Sequence, residues 1–128
     1  MTEGALVLVI DDDADHLIIH ATLLTHGGYS VITARTPEAG LELARERRPG
    51  MILLDLHFGG EPRGLEMMDA LAEDPNTADI PVIVITAFGD LYPGEIARRH
   101  AHLVRKGGDP KRLLEAVAQV LPPDPSPT

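Results

Sequence analysis

No cysteine occurs among the 128 residues, which excludes a disulfide framework and a thiolate metal site. Aromatic residues make up only 3%, too few for stacking platforms on single-stranded nucleic acid. Basic residues are scarce as well: 11 Lys and Arg face 20 Asp and Glu, for a formal net charge of −9. Binding to a phosphate backbone is driven by Lys and Arg, so direct nucleic-acid binding is not expected. No apolar run approaches the ~18 residues of a membrane span. The start, MTEGAL, lacks the basic and apolar regions of a signal peptide. A cytoplasmic protein without membrane contact is the expectation.

What is present is a 44% hydrophobic content spread in short runs, which suits one globular domain. A chain of this size buries roughly two-thirds of its extended surface on folding, enough for a core. The expected domain covers residues 1–121. The end, PPDPSPT, is Pro-rich and cannot continue a helix; residues 122–128 read as a disordered tail or the stub of a linker.

Apolar runs alternate with amphipathic segments. Strands are expected at Ala5–Ile10, Val31–Ala34, Met51–Leu54, Ile80–Ile85 and Ala101–Val104, and helices at Ala14–Thr25, Pro37–Arg47, Gly64–Glu73 and Pro110–Val120. Thr36-Pro37 and Asp109-Pro110 pair a capping residue with a first-turn proline. The segment between the last two strands is interrupted by Pro93-Gly94, leaving a short helix from Glu95 to His100. Near-continuous apolar strands alternating with helices imply a doubly wound parallel sheet covered on both faces. Such α/β sheets bind ligands at the carboxyl ends of their strands.

Those ends carry the chemistry. LVLVI runs into Asp11 and Asp12, MILL into Asp55, VIVI into Thr86, and AHLVR into Lys106. Two carboxylates about 4 Å apart repel by roughly 4 kcal/mol at an effective dielectric of about 20. A divalent cation relieves that cost, and carboxylate oxygens with open positions suit Mg2+. An ammonium and a hydroxyl beside them suit a transferring phosphoryl group, and Asp55 is placed to be a nucleophile forming an aspartyl phosphate. Asp13 and Asp15 read instead as first-turn acids favoured by the helix dipole.

The set VIDD, LLD, VITA and RK, in this order and spacing, resembles the receiver domain of bacterial two-component response regulators, from about Leu6 to Leu121. The resemblance implies a flavodoxin-like, five-stranded parallel sheet of order 2-1-3-4-5, here with a shortened fourth helix. It further implies that Asp55 is the phosphoacceptor and that Mg2+ is held by Asp11, Asp12, Asp55 and the backbone carbonyl of His57. Lys106 and Thr86 would contact the phosphoryl oxygens. The donor would be a sensor histidine kinase or phosphotransfer protein. Such a domain is not an enzyme beyond its own phosphorylation and slow autodephosphorylation, and it signals through a downstream protein or a homodimer. No effector domain is read in these residues, so output is expected through protein contacts or through a domain missing from this chain.

The chain departs from the family at several positions. Gly59 stands where receivers usually have proline, in a loop one residue longer; Gly107-Gly108 follows Lys106 in place of proline, so that the lysine rests on packing alone; and Leu103 replaces an aromatic that swings inward on activation. Leu103 cannot supply that rotamer switch, so output is expected through another surface or a shift of the loop after Thr86. His57 and Phe88 occupy positions that tune phosphoryl lifetime, one by positioning water and the other by shielding. His16 and His20, four apart, read as solvated helix residues, and Phe58, Phe88 and Tyr92 as core or as cover for the site. Two alternatives remain open: a receiver-like module that no longer takes phosphate, and a small Mg2+-dependent phosphohydrolase of haloacid-dehalogenase type with Asp11 as nucleophile.

Overall fold

The computed structural model describes residues 5–86, 93–99 and 101–123. Five strands, β1 (Leu6–Ile10), β2 (Ser30–Ala34), β3 (Met51–Asp55), β4 (Val82–Thr86) and β5 (His102–Arg105), alternate with five helices. The helices are α1 (Ala14–His26), α2 (Pro37–Arg47), α3 (Arg63–Glu73), α4 (Pro93–Arg98) and α5 (Pro110–Val120). All neighbouring strands pair in parallel, in the order β2-β1-β3-β4-β5. This is the expected doubly wound sheet, and α4, at six residues, is the shortened helix. Phe88, Tyr92 and His100 lie outside the described residues.

Alternation along β1 divides the core. Val7 and Val9 pack with Leu17 and Leu24 of α1 and Leu113 and Val117 of α5. Leu8 and Ile10 pack on the other face with Ala44 of α2, Met67, Met68 and Leu71 of α3, and Ile96 of α4. Burying each such side chain stabilises the fold by about 1.5–3 kcal/mol, which is why β1 and β3 are apolar on both sides.

Thr36 and Asp109 cap as the sequence suggests, whereas Asp13, expected as a first-turn acid, stands one residue earlier as the N-cap of α1, and only Asp15 lies in the first turn. Asp13 accepts from the N–H groups of Asp15 and His16, Thr36 from Ala39, and Asp109 from Lys111. β4 begins two residues later than the apolar run, because Pro81 has no N–H for the ladder; its carbonyl still accepts from Ile52 at 3.0 Å. The expectation of two solvated histidines needs correction at one of them. The His16 side chain is 39% exposed, but His20 is only 7% exposed, because it faces inward from α1 and lies with Leu23, Val104 and Leu113 along the cleft between α1, β5 and α5.

Candidate functional site

The chain order reverses between β1 and β3, and the residues at the carboxyl ends of β1, β3, β4 and β5 meet there. Asp11 follows β1, Asp55 ends β3, Thr86 ends β4, and Lys106 follows β5. Parallel register makes this convergence unavoidable: Asp55 lies opposite Ile85, and Thr86 opposite Arg105. A cleft of about 280 Å³ opens at this edge, with Asp12, Asp55, His57, Thr86 and Lys106 in its lining. A larger cleft of about 400 Å³ lies between α1, β5 and α5, is mainly apolar, and holds none of these carboxylates.

Asp11, Asp12 and Asp55 each offer an oxygen within 4.8 Å of the others. Lys106 Nζ lies 2.9 Å from Asp11 Oδ2 and 3.3 Å from Asp55 Oδ2. Asp11 and Asp55 are almost wholly buried, whereas Asp12 is exposed. Burial, followed by the neighbouring charge of Asp11, pushes the Asp55 carboxyl up to about 6, with Lys106 opposing both. Burial alone would lower Lys106; its close contact with Asp11 and the charges of both carboxylates hold it above its ordinary value. One ammonium shared by two buried carboxylates leaves an excess of negative charge. Asp11 Oδ2 accepts no well-angled hydrogen bond and has only ion-pair contacts. Hard oxygen donors, net negative charge and an open cleft fit a small divalent cation such as Mg2+.

Lys106 is held by more than packing, contrary to the sequence expectation. Its N–H donates to the Thr86 carbonyl at 2.9 Å, which extends the β4–β5 ladder past the strand and aims the side chain into the cleft despite the glycines that follow. The His57 N–H lies 3.5 Å from Asp55 Oδ1, and its half-buried side chain lines the cleft. Phe58 is a core residue. Leu103 is 40% exposed on β5.

Sequence reasoning missed three contributors. His16 lines the cleft, with Nδ1 3.9 Å from Asp11 Oδ2 and 3.4 Å from Asp13 Oδ2. Arg35 Nη2 donates to the Asp12 carbonyl at 3.1 Å, and the Gly59 N–H donates to Asp12 Oδ2 at 3.0 Å. The Gly59-Gly60 pair is itself a tight-turn signal, but nothing in the sequence says that the turn points at Asp12.

The response regulator receiver domain family matches residues 7–118. The chain belongs to that family. The receiver is 37% identical over 82 residues to the polar-differentiation response regulator DivK of Brucella anthropi, a match covering 64% of this chain and 66% of DivK. The chain thus spans just under two-thirds of that curated relative. Among solved structures, the chemotaxis protein CheY4 of Vibrio cholerae superposes with a TM-score of 0.83 at 24% identity, covering 92% of this chain and 99% of that one. The receiver domain of a sensor histidine kinase from Pseudomonas aeruginosa, solved with a magnesium ion coordinated in its active site cleft, gives a TM-score of 0.81 at 18% identity, covering 91% and 97%. At these identities the structural likeness speaks for the fold alone. Family membership makes this receiver a module of two-component signalling and sets aside the hydrolase alternative.

Proposed function

We propose that the receiver takes a phosphoryl group onto Asp55 from a phosphohistidine of a sensor kinase or phosphotransfer protein, in the cytoplasm. The observation that carries this reading is Asp55 itself, buried at a strand end within 3.3 Å of an ammonium and beside two further carboxylates. A carboxyl near 6 is largely ionised above neutral pH and therefore nucleophilic. Its oxygen bonds to phosphorus as the bond from phosphorus to the donor nitrogen breaks, and the electron pair leaves with the imidazole. Asp11, Asp12, Asp55 and the His57 carbonyl would hold Mg2+, which supplies charge neutralisation on the phosphoryl oxygens. Lys106 neutralises a further oxygen, and the Thr86 hydroxyl donates to another. Output passes to a protein partner or a second copy of the domain.

Incubation with Mg2+ and a small acyl-phosphate donor, followed by intact mass measurement, tests this. A gain of one phosphoryl group that disappears in Asp55→Asn is the expected result. An unmodified parent would favour the module that no longer takes phosphate.

A further inference from the structure

Asp12 is exposed, so burial does not hold its side chain as it holds Asp11 and Asp55. It is held from outside, by Arg35 on its carbonyl and by the Gly59 N–H on Oδ2. Gly59 sits at the tip of a closed turn. Phe58 and Glu61 exchange both backbone hydrogen bonds around it, at 2.8 and 3.1 Å. Gly59 and Gly60 have φ of 61° and 82°, the positive values a type I′ turn requires at both central positions. The turn is anchored below by the buried Phe58 ring, and beyond it Gly64 N–H donates to the Leu56 carbonyl at 2.9 Å.

We infer that this 58–61 turn is a positioning device for the cation site: the Gly59 N–H fixes the Asp12 carboxylate and leaves its other oxygen for Mg2+. The inference rests on the reading that Asp11, Asp12 and Asp55 hold Mg2+. An exposed aspartate would otherwise lose rotamer freedom on binding the ion. A hydrogen bond that orients a ligand oxygen typically carries about 10–100-fold in metal affinity. By linkage, Mg2+ tightens the turn by the same factor that the turn tightens Mg2+. A Cβ at Gly59 would meet nothing within 4 Å. Alanine there therefore strains the backbone without blocking the cleft, whereas asparagine tolerates the left-handed conformation.

Calorimetric titration of the full chain with Mg2+ tests the inference. Gly59→Ala is expected to weaken Mg2+ binding by about tenfold, and Gly59→Asn to return it to within about threefold of the parent. Gly28→Ala, at φ 99° in the distant α1–β2 turn, is expected to bind as the parent does. Mg2+ should also slow amide exchange at Phe58 and Glu61 in the unsubstituted protein. Unchanged Mg2+ affinity in Gly59→Ala, or unaltered exchange in a Mg2+-saturated parent, overturns the role of the turn while the cation site stands. A parent that binds no Mg2+ overturns the underlying reading as well.

Discussion

Asp55 is the residue at which the proposed function works against stability. Burial and Asp11 raise its carboxyl from 3.8 to about 6 in the metal-free protein. A raised carboxyl favours the folded state in its protonated form, so that contribution is complete below about pH 4 and is lost as pH rises through about 6. Asparagine has the shape of the neutral acid and keeps the contribution at every pH. Metal-free Asp55→Asn is therefore expected to exceed the parent in stability by on the order of 2 kcal/mol at pH 7.5, a gap that closes toward pH 4. Urea denaturation in the presence of a chelator, at both pH values, would check this. The difference reports residue 55 together with its coupling to Asp11 and Lys106. A gap independent of pH would contradict the assignment. Saturating Mg2+ should narrow or reverse the gap, because the ion binds the folded parent preferentially.

At the level of elements, the site depends on how closely α3 approaches β3. Gly64 lies in the first turn of α3, and a Cβ there would stand 2.9 Å from Asp55 O, Leu56 Cα and Leu56 O. All three are backbone atoms, so no rotamer change relieves the contact. Gly64→Ala must move the start of α3 or the end of β3, at a cost of about 1–3 kcal/mol. The expected outcome is a lower melting temperature together with weaker Mg2+ binding, since the displaced strand end carries Asp55. Loss of stability with unchanged Mg2+ affinity would show that α3 yields and β3 does not. The helix periodicity was legible from Gly64 to Glu73, but the need for glycine at its start was not, because that need arises from a strand several residues earlier in the chain.

For the molecule as a whole, the proposed function requires a path from Thr86 to the surface. The two faces of the sheet carry separate packed clusters, and β5 is an edge strand with largely exposed side chains. Leu103 is 40% exposed and has no ring to carry a movement inward. A phosphoryl mimic bound at Asp55 is expected to shift backbone amide signals around Thr86 and Lys106, whose backbones are joined at 2.9 Å, with little change at Leu103 and α4. Strong shifts confined to α4 and Leu103 would contradict this. Among the described residues no helix is long and apolar enough to cross a membrane.

The sequence by itself determined the alternation of strands and helices, the caps at Thr36 and Asp109, and the polar residues that end each apolar run. Those features are local: periodicity, capping and strand termination act over a few residues and leave a readable pattern. It also placed Asp11, Asp12, Asp55, Thr86 and Lys106 at strand ends, and parallel pairing then brings them together. Only the tertiary structure decided that His20 is buried, that the ladder bond to Thr86 holds Lys106, and that Gly59 reaches Asp12. Each of these depends on contacts between distant segments, and the Gly59–Asp12 bond joins residues 47 apart. No local propensity encodes where a turn's N–H will point once a sheet and five helices have packed.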